Sequence, residues 1–253
     1  MKIIAIIPAR MGSSRFPGKP LAPILGLPMI EHVYRRTAMC DILDEVLVAT
    51  CDQEIMAAVE AFGGKAVMTS ASHQRASDRV AEAASKLSAD IVVMVQGDEP
   101  MTYPEMIATS TAPLRSGDRR IACVNLAGRI QTEEEFVDPN TIKVVMDLEG
   151  FAVYMSREPI PSRHLQPFAQ LPVYRQVCII PFTTESLQEF SRLPPTPLEV
   201  AESIDMLRFI EHGRKVKMVE TTYATHPVDT PEDLHLVEAL LQEDPLTKKY
   251  IVQ

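Results

Sequence analysis

The chain has 253 residues, 46% of them hydrophobic, enough to bury the core of one large α/β domain, or of one domain with a substantial excursion. Its formal charge of −9 disfavours a nucleic-acid partner. No apolar run approaches the ~20 residues that span a bilayer, and no charged-then-apolar leader precedes the first strand, so a cytoplasmic protein is expected.

The first predicted strand, Lys2 to Ile7, is a continuous β-branched run, and Pro8 stops it by removing an amide donor. It feeds a loop with two glycines, Gly12 and Gly18, two serines, Ser13 and Ser14, the cations Arg10, Arg15 and Lys19, and no acid. Glycines permit close backbone approach, hydroxyls donate, and the cations match a triphosphate. In open α/β sheets ligands bind where such a loop leaves the carboxyl end of a strand. It is not a Walker A loop, because five residues separate Gly12 from Gly18 and Lys19 precedes Pro20. No G-x-G-x-x-G is present either, which argues against an NAD enzyme.

Further strands are expected over Glu45 to Thr50, Lys65 to Thr69 and Asp90 to Val95, with helices over Gln53 to Phe62, capped by Asp52 and ended by Gly63 and Gly64, and over Ser77 to Leu87. This alternation predicts parallel strands joined by crossovers and covered on both faces. After about residue 115 come strand-like runs Arg120 to Leu126, Thr141 to Asp147, Phe151 to Ser156 and Gln176 to Phe182, most without helices between them, which suggests antiparallel additions. Pro159 to Pro172 reads as an ordered loop or a packing arm. Leu198 to His212 and Pro231 to Leu241 read as amphipathic helices around a strand, Lys215 to Thr221. Cys40, Cys51, Cys123 and Cys178 lie apart, without C-x-x-C or a neighbouring His, and are expected as buried small hydrophobes.

Val-Gln-Gly-Asp-Glu-Pro, residues 95 to 100, follows the fourth strand and opens at the same sheet edge as the loop. Asp98 is then a candidate Mg²⁺ ligand, since that ion takes one or two protein carboxylates with water and phosphate oxygens. Asp229 fits as the second, just before Thr230, Pro231 and Asp233, which form a capping-box-like helix start. Arg157 and Arg175 could each grip a carboxylate by a bidentate fork or stand as solvated surface arginines.

Together these motifs name a family. PAR-x-x-S-x-R-x-PGKPL at Pro8 to Leu21, VQGDEP at Val95 to Pro100, PN-x-x-KVV-x-D at Pro139 to Asp147, SR-x-PIP at Ser156 to Pro161, PPTPLE at Pro194 to Glu199 and VDTPEDL at Val228 to Leu234 closely resemble the 3-deoxy-manno-octulosonate (Kdo) cytidylyltransferases. The resemblance spans nearly the whole chain. It implies a Rossmann-like nucleotide-diphospho-sugar transferase fold, with a mostly parallel central sheet, in one domain over residues 1–253, and an acceptor-binding, dimerising excursion over about 120–182. It also implies Mg²⁺, a homodimer, and CMP transfer from CTP to a 2-keto-3-deoxy sugar acid with release of pyrophosphate, a step in lipopolysaccharide biosynthesis. Carried over by residue, the nucleotide would meet Pro8, Ala9, Arg10, Ser13, Arg15 and Lys19, and also His73, Ser77 and Arg79. Asp98 and Asp229 would hold the metal, and Arg10 and Lys19 would join them in catalysis. Gln96 would touch the sugar.

Four sugar-facing positions depart from the family pattern. Its His, Tyr, Glu and Gln are here Gln176, Ile180, Asp205 and Met206, and near the nucleotide its Ser and Gly are Arg75 and Ala76. A buried polar group that loses its partner costs about 1–3 kcal/mol, so these changes redirect acceptor choice. The acceptor set expected is Gln96, Arg157, Arg175, Gln176 and Asp205, with Kdo or a Kdo-like acid as substrate. The alternatives are an amino-octulosonate, a nonulosonate or a phosphonate, or a non-catalytic nucleotide-binding regulator; intact Asp98 and Asp229 favour an enzyme.

Overall fold

The computed structural model describes residues 1–12 and 16–251. In chain order the elements are β1 (Ile3–Ala9), β2 (Pro23–Ile24), β3 (Leu27–Pro28), α1 (Met29–Ala38), β4 (Glu45–Thr50), α2 (Gln53–Ala61), β5 (Ala66–Met68), α3 (Ala76–Ser85), β6 (Ile91–Val95), α4 (Pro104–Arg115), β7 (Ile121–Arg129) and α5 (Glu133–Val137). They continue with β8 (Lys143–Met146), β9 (Ala152–Ser156), β10 (Tyr174–Val177), β11 (Ile179–Thr183), α6 (Thr184–Arg192), α7 (Pro197–Glu202), α8 (Met206–Glu211), β12 (Lys215–Thr221) and α9 (Pro231–Glu243).

One central sheet has the order β5-β4-β1-β6-β11-β7-β10-β8-β9, with β12 also on β7. β5, β4, β1 and β6 run parallel; β11, β10, β8 and β9 join antiparallel. The two halves expected from strand-helix alternation and its loss after residue 115 are therefore both present.

β1 is buried throughout because both of its faces are covered. Ile4 and Ile6 pack with Val80, Ala83 and Ala84 of α3, Leu187 and Phe190 of α6 and Phe209 of α8. Ile3, Ala5 and Ile7 pack on the opposite side with Val33 of α1, Ile55 and Val59 of α2 and Met106 of α4. The period-2 alternation sends neighbouring isoleucines to different layers, and each fully buried one contributes about 1.5–3 kcal/mol. A smaller cluster, Ile24, Met29, Val228, Val237 and Leu241, clamps the start of α9 against the β2-β3 hairpin.

Four expectations change. β1 does not stop at Pro8 but runs on to Ala9, because parallel pairing with β4 continues there, Pro8 opposite Ala49 and Ala9 opposite Thr50. The single strand over Gln176 to Phe182 is two, because the pairing breaks at Cys178: β10 lies between β7 and β8, β11 between β6 and β7. The Cys178 carbonyl is diverted to accept from the Gln96 amide at 3.1 Å. The helix over Leu198 to His212 is also two, because Ser203 sits at φ 55 in the left-handed region and ends α7. All four cysteines are free, but only Cys40 and Cys123 are buried; Cys51 and Cys178 are half-buried. Among the described residues no helix is long and apolar enough to cross a membrane.

Candidate active site

The carboxyl ends of β1 and β6 and the entry to α9 meet at one point. Gly97 lets them: a Cβ there would lie 2.6 Å from the Pro8 carbonyl oxygen, a separation no side chain tolerates, so only glycine allows the loop after β6 to lie on the end of β1. The loop after β1 closes through the Gly18 amide, which donates to the Met11 carbonyl at 3.2 Å with Gly18 at φ 74. Asp52 was expected to cap α2. It makes no cap bond there; its Oδ2 instead accepts the Met11 amide at 2.8 Å and so anchors the loop after β1. Ser13, Ser14 and Arg15 lie outside the described residues.

Lys19 stands at the meeting point. Its Nζ donates to Asp98 Oδ2 at 3.0 Å, Asp229 Oδ1 at 3.2 Å and the Val228 carbonyl at 2.7 Å. Thr230 and Asp233 form the capping box of α9 and take the capping duty from Asp229, which turns its carboxylate to Lys19. The Val228 amide donates to the Asp98 carbonyl at 2.9 Å, stitching the two aspartate loops together. Burial by itself would lower the Lys19 pKa, but Asp98 and Asp229 outweigh it and the ammonium is held above its ordinary value. Two carboxylates and a carbonyl converging on one cation are hard oxygen donors of the kind Mg²⁺ takes.

This point lies on the wall of a cleft of about 1260 Å³ that also carries Pro8, Ala9, Arg10, His73, Arg79 and the acceptor candidates Gln96, Arg157, Arg175, Gln176 and Asp205. The family model described as cytidylyltransferase matches residues 4–217. The chain belongs to the cytidylyltransferase family.

Its relatives include the 3-deoxy-manno-octulosonate cytidylyltransferase of Geobacter metallireducens, 46% identical over 246 residues and spanning 94% of this chain and 96% of that one. The enzyme of the same description from Geotalea daltonii is 45% identical over 252 residues, 96% and 99% of the two chains. A solved structure of CMP:2-keto-3-deoxy-manno-octonic acid synthetase complexed with CTP superposes with a TM-score of 0.88 at 40% identity, over 96% of this chain and 99% of that one. The 4-diphosphocytidyl-2C-methyl-D-erythritol synthase of Anaerococcus prevotii, at 19% identity and a TM-score of 0.64, shares the fold.

Within this family member several expected residues are engaged elsewhere. Arg10 is exposed on the cleft. His73 Nε2 is 2.6 Å from Glu82 Oε2. Arg79 donates to Thr69 Oγ1 at 2.6 Å. Ser77 is fully buried and off the cleft, its hydroxyl donating to Asp205 Oδ2 at 2.8 Å and its amide to the same oxygen at 3.2 Å. Asp205 thereby caps α3 from another element, and Arg75 Nε lies 3.8 Å from its Oδ1; burial raises its pKa while the Ser77 hydroxyl and amide oppose the rise. Gln176 donates to Asn125 Oδ1 at 2.6 Å. Arg157 donates to the Glu202 carbonyl at 2.7 Å and the Pro139 carbonyl at 2.9 Å. Arg175 bonds the Thr225 carbonyl at 3.1 Å and pairs with Glu135 at 3.0 Å. Ile180 reaches the cleft wall, but Met206 is fully buried against Cys123 and does not face it.

Sequence reasoning passed over Glu99, next to Asp98. It is 4% exposed, one carboxylate oxygen has no partner among the described residues, and burial followed by the Asp98 charge pushes its pKa up to about 7. Its position in the Gly-Asp-Glu-Pro run was the available signal.

Proposed function

We propose that this protein transfers CMP from CTP to a 2-keto-3-deoxy sugar acid of the Kdo type. An acceptor hydroxyl attacks the α-phosphorus, the bond to the β-phosphate oxygen breaks, pyrophosphate leaves and the hydroxyl proton passes to solvent. The observation that carries the reading is the convergence of Lys19, Asp98 and Asp229 in the same cleft as Gln96, Arg157 and Arg175. Arg10 and Lys19 bind the phosphates with the loop serines, while Pro8 and Ala9 form the floor beneath the nucleotide. Asp98 and Asp229 would hold Mg²⁺, which when bound neutralises phosphate charge and favours the ionised acceptor oxygen. Arg157 and Arg175 orient the acceptor carboxylate, leaving little covalent work for the protein. The same reading makes the protein a cytoplasmic homodimer serving lipopolysaccharide synthesis, with residues of about 120–182 at the acceptor side and the subunit contact.

Pyrophosphate release with CTP, UTP and ATP against Kdo and other 2-keto sugar acids tests this. CTP and Mg²⁺ dependence is expected; equal rates with UTP or ATP overturn the cytidylyl assignment.

A second reading concerns the acceptor alone. With Gln176 Nε2 donating to Asn125 Oδ1, Asp205 bonded at the start of α3, and Ile180 apolar, these three positions present other groups than the His, Glu and Tyr of the family pattern, which favours an acid whose hydroxyl or amino substituents differ from those of Kdo. Kdo as the best of a panel by tenfold or more in kcat/KM, about 1.4 kcal/mol, refutes that reading.

A further inference from the structure

An ammonium has three donors and no acceptor, and in this structure all three donors of Lys19 are spent: on Asp98, on Asp229 and on the Val228 carbonyl. The side chain is 12% exposed, and its backbone lies between Gly18 at φ 74 and the buried Pro20. Since 3.0 Å and 3.2 Å reach the same nitrogen, the two carboxylate oxygens stand no more than 6.2 Å apart, a spacing two anions keep when a cation sits between them. Lys19 in this arrangement has no donor left for a phosphate, and the aspartates already hold a counter-ion.

We propose that Lys19 is a positioning residue that stands in for a divalent cation until nucleotide arrives, holding Asp98 and Asp229 together and keeping metal out of the free protein. Phosphate oxygens then replace the carboxylates as partners of Lys19, and the released carboxylates become available to the ion that accompanies the nucleotide. Metal binding is thereby tied to nucleotide binding by an exchange of partners at one side chain. The inference rests on reading Asp98 and Asp229 as the metal pair.

The test is Mn²⁺ binding to the full chain without nucleotide, followed by the loss of the free-ion electron paramagnetic resonance signal. The wild type is expected to show weak binding. Lys19→Met should bind one Mn²⁺ per chain about tenfold or more tightly, the double variant Lys19→Met with Asp229→Asn should lose that gain, and Lys19→Arg, which keeps the cation, should bind as weakly as wild type. A merely structural lysine would not produce tighter metal binding when removed. Near-UV circular dichroism reports the fold of each variant, and Lys19→Gln replaces Lys19→Met should the latter fail to fold. Tight one-to-one Mn²⁺ binding by the wild type, or equal affinity in wild type and Lys19→Met, overturns the proposal. If turnover still requires Mg²⁺ and both aspartates, such a result leaves the catalytic reading standing; tightened binding with no turnover on any acceptor does the reverse.

Discussion

Replacing Gly97 by alanine perturbs the joint on which the site depends. The new methyl carbon would sit 2.6 Å from the Pro8 carbonyl oxygen, whereas ordinary contact begins at 3.4 Å. The loop after β6 or the end of β1 must therefore shift by 0.8 Å, and the obstacle is backbone, which cannot rotate aside as a side chain does. Forcing an extra carbon into a packed interior costs about 1–3 kcal/mol, which for a chain of this size lowers the melting temperature by about 2–4 °C per kcal/mol. Asp98 follows directly and moves with the loop, and a displacement of about 1 Å at a reacting centre costs about 10²-fold in rate. Steady-state pyrophosphate release and thermal denaturation of the purified variant measure the two effects separately. Wild-type turnover together with an unchanged melting temperature would refute the close packing inferred for this joint.

Other perturbations follow from individual contacts. Asp98→Asn and Asp229→Asn are each expected to lower kcat by about 10²–10³-fold, as for loss of a charge-stabilising group, with little change in the melting temperature; wild-type kcat in Asp229→Asn would reduce that residue to a neighbour of the α9 cap. Arg208→Met removes the ion-pair partner that the fully buried Glu199 meets at 2.7 Å and Asp78 at 2.8 Å, leaving Glu199 with Arg75 at 3.5 Å; because Arg75 remains, the expected loss lies below the about 3–5 kcal/mol of a buried charge left uncompensated, to be read from urea denaturation. The Glu82 carboxyl, bonded by Lys86, then by the Ser70 amide and His73, has its pKa lowered to about 2. The unfolded chain therefore takes up this proton first, so the stability the group contributes is present above about 4.5 and is lost as pH falls towards 2. Melting temperatures between pH 6 and pH 2 should accordingly fall less in Glu82→Gln than in wild type, and parallel curves would contradict the assignment.

The local features were legible in the amino-acid order because they depend on neighbours along the chain. The apolar run of β1, the Thr230 to Asp233 capping box, the strand Lys215–Thr221 and the change from parallel to antiparallel strands are set by periodicity and capping groups, whereas Pro8 does not stop β1, which pairs on through Pro8 and Ala9 with β4. Helix α4 escaped that reading partly because Pro113 lies inside it, and α1 and α6 escaped it although Val33, Leu187 and Phe190 bury one face of each. Neither the split at Cys178 nor the one at Ser203 follows from composition, since the first arises where the chain shifts its place in the sheet and the second where Ser203 takes the left-handed backbone at φ 55. The same holds for Asp205, a carboxylate aimed at an acceptor by motif and turned by packing into the cap of a helix some 130 residues earlier, where it meets Ser77 across a separation of 128. Motif order could nominate Lys19, Asp98 and Asp229, but they lie 79 and 210 positions apart relative to Lys19. Only the sheet order, which sets β6 beside β1, and the clamp of α9 on the β2-β3 hairpin bring their charges within 3.2 Å of one nitrogen. Electrostatic coupling depends on distance through space, and that distance exists only once the core has closed.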